Sequence, residues 1–141
     1  MAALAAIIGL IGVAPSLAQS NDEGIEYVIV ANKELPGDAI KVETLKVVYQ
    51  REAKTWKNSD SEVVPVDLVT ANKFYQNLFG KTYTQMQMQW IKMRSDYSMN
   101  LPVFVKDAEG VKQFIASNKD AIGFLKKSDV DERVKIIKLV N

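Results

Sequence analysis

Short apolar, β-branched runs alternate along this chain with segments of helical spacing, and this alternation constrains the fold more than any other feature. Residues 25–31 (IEYVIVA) are typical of a strand buried on both faces. Similar runs occupy residues 63–66, 121–125 and 134–140. Apolar residues at helical spacing lie between the runs and predict helices over residues 42–49, 70–79, 84–94 and 108–117.

The predicted element order is β-α-β-α-α-α-β-β. Strands separated by helices indicate an α/β fold in which a mostly parallel sheet is flanked by helices. About 120 residues are enough for one domain with a single core. We also expect Thr70 to cap the second helix and Asp107 the last one, and we expect Gly123 to mark a close approach of backbone or ligand.

The first twenty residues (MAALAAIIGLIGVAPSLAQS) form an uncharged apolar run that ends in small residues. This pattern predicts a signal peptide over residues 1–18, cleaved after Ala18, and a mature domain over residues 19–141 that is exported to the periplasm. A retained membrane anchor is the alternative. Pro15 interrupts the run before it reaches the roughly 20 apolar residues that a spanning helix needs, so we expect the mature chain not to span a membrane.

The amino-acid composition argues against several classes of function. The chain carries 18 basic and 17 acidic residues, interspersed, for a net charge of +1. This distribution predicts no binding to nucleic acid. The sequence contains no Cys and no His, which rules out thiol chemistry and removes the commonest metal ligand and general base. We therefore expect a non-enzymatic protein with no catalytic residues, no metal site and no cofactor.

Several short motifs occur in a fixed order along the mature chain. They are Tyr49-Gln50, Trp56-Lys57-Asn58, VVPVD at residues 63–67, Phe79-Gly80-Lys81, Trp90, Pro102, FIASN at residues 114–118 and AIGF at residues 121–124. In this order they resemble the short, single-lobe relatives of phosphate ABC transporter substrate-binding proteins, in the type II periplasmic binding protein superfamily. The resemblance implies one binding-protein-like lobe, of the kind that in full-length members closes with a second lobe over an oxyanion.

The resemblance directs attention to the junction between the second strand and its helix. Full-length phosphate-binding relatives carry an Arg and then Ser-Gly-Thr there, whereas this chain lacks that Arg and Gly and has Asp67, a negative charge that would repel phosphate. The candidate ligand-binding residues at this junction are Thr70, Asn72 and Lys73, which supply a hydroxyl and further donors. Asn32 and Lys33, just after the first strand, are expected on the same carboxyl-end rim.

Each of these side chains also has a purely structural interpretation. The residue types favour a helix cap alone for Thr70 and solvated surface charges for Lys33, Lys73, Arg51 and Arg94. Trp56 either stacks on a ligand or folds over the edge of the core. Met86, Met88, Trp90 and Met93 could form a soft-metal or partner surface, but helical spacing favours core packing.

Two functions follow from the sequence. The first is an exported, non-enzymatic substrate-binding-protein-like domain that binds phosphate or another small oxyanion in connection with ABC-type transport, with a membrane transporter as its partner. The second is a structural or interaction module that keeps the lobe, has lost the ligand, and docks onto an envelope partner protein. The absent glycines and the charge of Asp67 favour the second function.

Overall fold

A computed structural model describes residues 26–71 and 73–141. The signal peptide expected over residues 1–18, its cleavage after Ala18, and the candidate residue Asn72 lie outside the described residues. The strands are β1 (Tyr27–Ala31), β2 (Ala39–Lys41), β3 (Val64–Leu68), β4 (Val103–Val105), β5 (Ala121–Lys126) and β6 (Lys135–Val140). The helices are α1 (Val42–Tyr49), α2 (Lys73–Phe79), α3 (Tyr83–Tyr97) and α4 (Ala108–Ser117), with 3-10 turns at Val69–Ala71 and Lys127–Asp129.

All six described strands belong to one sheet, in the order β2-β6-β1-β5-β3-β4. β3 pairs in parallel with both β4 and β5, and β2 pairs in parallel with β6. β1 runs antiparallel to both of its neighbours, with Ile29 opposite Phe124 of β5 and Ile137 of β6. The fold class expected from the sequence, a mostly parallel sheet flanked by helices, is therefore confirmed.

The element order differs from the prediction by two short strands, β2 and β4. Each has three residues and lies at one end of the sheet order. A segment of this length is too short to show an alternating pattern, so sequence periodicity gives no signal for it. The four longer strands and the four helices lie where the sequence predicts them, to within a few residues.

One face of the sheet is covered by aromatic side chains from α1, α2 and α3. Phe74 stacks on Phe124 at a centroid distance of 3.8 Å, and Tyr49 and Tyr75 meet the same ring edge-on. Trp90 of α3 is buried and donates from Nε1 to the Tyr49 carbonyl at 2.6 Å. Met86 is also buried and Met93 half-buried, so the core packing predicted for them is confirmed. The same prediction is wrong for Met88, which is 65% exposed because it lies two residues from both Met86 and Trp90, on the outer side of the helix.

The opposite face is covered by α4. Asp107 caps this helix as predicted, because its carboxylate accepts from the Gly110 amide at 2.8 Å. A Cβ atom on Gly123 would lie 2.9 Å from Ile115 Cδ1 and 3.3 Å from Val66 Cβ. The close approach predicted at Gly123 is therefore packing of α4 on β5 and β3. Among the described residues, no helix combines the length and the apolar character required to cross a membrane.

Candidate functional site

The carboxyl ends of three adjacent parallel strands form the candidate site. β4, β3 and β5 lie side by side and end at Val105, Leu68 and Lys126. Ligands of open α/β sheets bind outside the carboxyl ends of the strands, where the loops and helix starts converge. We call this edge the rim and define it by the described residues that follow the three strands: Val69–Ala71, Lys73, Lys106, Asp107 and Lys126–Ser128.

The loop after β3 forms a 3-10 turn over Val69–Ala71 before α2 begins at Lys73. Thr70 is exposed within this turn, and its Oγ1 donates to the carbonyl of Lys106, 3.5 Å away, which joins the loops after β3 and β4. The prediction that Thr70 caps a helix starting at the next residue is wrong, because the turn delays the helix start to Lys73. The hydroxyl instead lies at the solvent-facing rim.

Four lysines surround this part of the edge: Lys73, Lys106, Lys126 and Lys127. All four are exposed, and no hydrogen bond or ion pair joins their ammonium groups to another residue of the described chain. Lys126 and Lys127 also line an open cleft of about 480 Å³ together with Glu26 and Ser128. The rim therefore presents a positive surface with hydroxyl groups at Thr70 and Ser128.

Three carboxylates limit what the rim can bind, and the first is Glu26, which lines the cleft with Lys126 and Lys127. Asp107 already occupies the N-terminus of α4, where its charge satisfies the amide that an external anion would otherwise use. Asp67, in β3 immediately before the rim, is 0% exposed. Its carboxylate is the most buried charged group near the candidate site.

Two tyrosines satisfy the Asp67 carboxylate. The hydroxyl of Tyr75 in α2 donates to Oδ1 at 2.5 Å, and that of Tyr83 in α3 donates to Oδ2 at 2.5 Å. Burial raises the pKa of Asp67, while the two hydroxyl hydrogen bonds lower it in part. Burial likewise raises the pKa of Tyr75 and of Tyr83, so both phenols stay protonated as donors.

Sequence reasoning identified the charge of Asp67 but missed its two tyrosine partners, which lie 8 and 16 residues further along the chain. A signal was present. An Asp flanked by Val66 and Leu68 in a buried strand requires internal donors, since an unpaired buried carboxylate is very unfavourable. The nearby tyrosines of the following helices are natural donors.

The structure separates the sequence-predicted residues into two groups. Because β1 is antiparallel to β5, its last residue, Ala31, pairs with Ile122 near the start of β5, and the Asn32 amide donates to the Ala121 carbonyl. Asn32 and Lys33 therefore lie at the amino edge of the sheet, opposite Thr70 and Lys73. The expectation that they share the rim is wrong, since it assumed a parallel first strand.

Asn32 is also fully engaged inside the protein. Its Nδ2 donates to the carbonyls of Ile115 and Ala116 at 2.8 and 3.2 Å, and its Oδ1 accepts from the Glu34 amide at 2.8 Å. These bonds tie the end of β1 to the end of α4. Lys33 is exposed beside it.

The amino edge also holds a buried arginine that the sequence did not reveal. Arg51 is 1% exposed, with a φ of 61°, and its Nε donates to the Asn100 carbonyl at 2.8 Å. Burial lowers its pKa, and nearby Glu62 raises it in part. The expectation that Arg51 is a solvated surface charge is wrong, because the left-handed turn after α1 directs its side chain inward.

Of the two roles predicted for Trp56, the structure shows the structural one, in which the ring covers the edge of the core. Its ring is half-buried against the core, and Nε1 donates to the Asp120 carbonyl at 3.2 Å, which ties the loop before β3 to the start of β5. Across residues 26–71 and 73–141, no group of three or more acidic side chains is arranged to hold a metal ion.

The sequence matches no protein-family model and no curated protein. The structure, in contrast, superimposes on an ABC-type phosphate transport receptor from Vibrio cholerae with a TM-score of 0.62 and 20% identity, over 82% of this chain and 46% of that one. The fold is that of one periplasmic-binding-protein lobe. The resemblance inferred from the sequence motifs is thus confirmed at the level of the fold.

Two further solved structures give the same result. A putative phosphate ABC transporter substrate-binding protein with bound phosphate from Clostridium perfringens matches with a TM-score of 0.62 and 17% identity, over 83% of this chain and 46% of that chain. A possible phosphate-binding protein from Planctomyces limnophilus matches with a TM-score of 0.59 and 15% identity, over 88% and 48%. This chain spans about half the length of these proteins.

Proposed function

We propose that the protein is an exported, non-enzymatic binding lobe that captures a small oxyanion of the phosphate or sulfate class at the rim. The observation that carries the proposal is the set of unpaired lysines, Lys73, Lys106, Lys126 and Lys127, at the carboxyl ends of three adjacent strands. In sheets of this kind that edge is where ligands bind.

The chemistry of the rim suits a hydrated, solvent-accessible anion. Exposed ammonium groups and hydroxyls such as that of Thr70 provide charge and hydrogen-bond donors without an Arg fork. Asn72, predicted from the sequence, lies between Thr70 and Lys73 and belongs to the same proposal. Since the site is open on one lobe, we expect weak affinity, and a second surface is needed to exclude water from the anion.

The same proposal extends to transport. One structural neighbour is described as a phosphate ABC transporter substrate-binding protein with bound phosphate. By analogy we propose that this lobe works in the periplasm, after cleavage of residues 1–18, and that its partner is a membrane transporter.

A second function is favoured by specific observations. Asp107 occupies the N-terminus of α4, and Asp67 adds a buried negative charge beside the rim; both disfavour an anion. In addition, α3 exposes two large apolar side chains on adjacent turns, Met88 and Ile91, each 65% exposed. An interaction module that docks onto an envelope protein through this surface is the alternative.

Calorimetric titration of the purified protein with phosphate and sulfate at low salt tests the first function. We expect saturable heat and a rise in melting temperature for at least one anion. The paired substitution Lys73→Ala and Lys106→Ala should weaken binding on the order of tenfold, whereas Lys57→Ala, in an exposed loop, should not. No response to either anion would contradict anion binding and favour the interaction module.

A further inference from the structure

The buried carboxylate of Asp67 does not contact the anion in the proposed function. Its position close to the rim suggests that its charge affects how tightly the anion binds. It lies three residues before Thr70, so the Cα atoms of the two residues are at most about 11 Å apart. Its carboxylate is shielded from solvent, with the hydroxyls of Tyr75 and Tyr83 as its hydrogen-bond partners. A buried charge this close interacts with an anion held beside Thr70, because little water screens it.

We propose that Asp67 sets the anion affinity of the rim through its protonation state. With the carboxylate ionised, it repels a bound oxyanion; with a proton bound, this repulsion disappears and the anion binds more tightly. The inference rests on the proposed function and adds proton-coupled uptake to it. Capture of the anion would then be favoured as the pH falls.

The surroundings of Asp67 support this role. The titratable side chains that face it are tyrosines: Tyr75 from α2, Tyr83 from α3, and Tyr49 from α1. The pKa of Tyr49 is raised by burial and, to a smaller extent, by the charge of Asp67. The residue paired with it on β4 is Phe104, which is not titratable. Lys73 follows Asp67 by six residues, and Lys106 follows β4, the strand paired with β3; neither forms an ion pair within the described chain.

Burial raises the pKa of Asp67, and this moves its titration toward the physiological range. The composition makes the effect easy to isolate. The chain has no His and no Cys, the side chains whose ordinary pKa values lie closest to that range, and lysines keep their charge throughout it.

The test is sulfate affinity at about pH 5 and about pH 8, measured by calorimetry at low salt on the wild type and Asp67→Asn. Sulfate keeps its charge over this interval, whereas phosphate itself takes up a proton. We expect wild-type affinity to rise on the order of tenfold at the lower pH. Asp67→Asn should bind tightly at both pH values. Asp60→Asn, in an exposed loop, should behave as the wild type does.

Tyr83→Phe gives an independent measurement on a chain that keeps its carboxylate. Loss of the hydroxyl bond to Oδ2 removes one stabilising contact of the ionised form. The pH midpoint of the affinity change should therefore move upward. Tyr97→Phe, which alters an exposed tyrosine at the end of α3, should leave the midpoint unchanged.

The outcomes are distinct. Sulfate binding that is independent of pH, or a midpoint that Tyr83→Phe does not move, overturns the role of Asp67 and leaves the proposed function standing. Binding by Asp67→Asn with the same pH dependence as the wild type has the same meaning. No saturable binding by any of these proteins at either pH overturns both proposals. Should Asp67→Asn fail to fold, the midpoint shift between the wild type and Tyr83→Phe decides.

Discussion

Polar side chains occur at both edges of the sheet, but their contacts differ. At the amino edge, Asn32, Arg51 and Trp56 donate hydrogen bonds to backbone carbonyls and hold loops in place. At the carboxyl edge, Lys73 and Lys106 are exposed and form no ion pair within the described chain. Polar residues at strand ends are therefore structural or available for binding according to what they already contact, not according to residue type.

The difference has a physical origin in strand direction. β1 enters the sheet antiparallel to β5, so the chain passes from β1 toward the amino ends of β3 and β5. The end of α4 and the loop before β3 also lie at that edge, and their hydrogen bonds occupy the side-chain donors of Asn32 and Trp56. At the carboxyl edge, the lysines that follow β3, β4 and β5 are exposed and form no ion pair within the described chain.

The largest change in the free energy of unfolding is expected for a substitution at Arg51, which lies at the amino edge. Substitution of Arg51 by Ala removes the donor of the Asn100 carbonyl and the buried alkyl chain, so it should lower the free energy of unfolding by about 3 kcal/mol. Urea unfolding measures the loss. Arg94→Ala, on the exposed surface of α3, is the control. An unchanged free energy for Arg51→Ala would show that the amino edge is not held by this side chain.

Asn32 should give the next largest effect. Asn32→Ala leaves the carbonyls of Ile115 and Ala116 without their side-chain donor, and we expect a loss of about 2 kcal/mol in urea unfolding. Its neighbour Lys33 is exposed, so Lys33→Ala should change stability by less than about 0.5 kcal/mol. Weaker sulfate binding in either variant, with the fold intact, would place the anion at the amino edge and break the comparison.

The carboxyl edge should show the reverse behaviour. Lys73→Ala combined with Lys106→Ala should leave the free energy of unfolding within about 0.5 kcal/mol of the wild type, because both side chains are exposed. The same variant should lose sulfate affinity on the order of tenfold by calorimetry. A large loss of stability would mean that these lysines are structural, as Asn32 is.

The smallest effect is the pH dependence of stability at Asp67. Burial raises the pKa of this carboxyl in the folded state above its unfolded value, so the folded protein binds the proton more tightly. The resulting stabilisation is fully present below about pH 4 and is lost as the pH rises through the folded-state pKa. Urea unfolding of the wild type relative to Asp67→Asn should show this decline, and a difference that is flat with pH would contradict it.

The sequence predicted much of the fold because its main elements are long and patterned. The run at residues 25–31, the helix capped by Asp107 and the strand containing Gly123 were all located correctly. β2 and β4 were missed because a three-residue strand at the end of a sheet has no periodicity. Their formation depends on the neighbouring strand that each pairs with.

The candidate site was only partly predictable, because it depends on strand direction. No local pattern shows that β1 pairs antiparallel with β5 and β6, which are distant in sequence. Because of this pairing, Asn32 and Lys33 lie at the amino edge and cannot share a site with Thr70 and Lys73 at the carboxyl edge. The side chain of Arg51 points inward because its backbone is left-handed, a conformation that the residue type does not predict. The tyrosines around Asp67 required the placement of α2 and α3.

The most direct test of the central claim is amide chemical-shift mapping by NMR during a titration of the protein with sulfate. We expect saturable shifts at the rim, in Thr70, Lys73, Lys106 and Lys126–Ser128, with the amides of Asn32 and Lys33 unaffected. This result would establish the carboxyl edge as an anion-binding surface. Saturable shifts confined to the amino edge, or no saturable shift at any amide, would contradict the account.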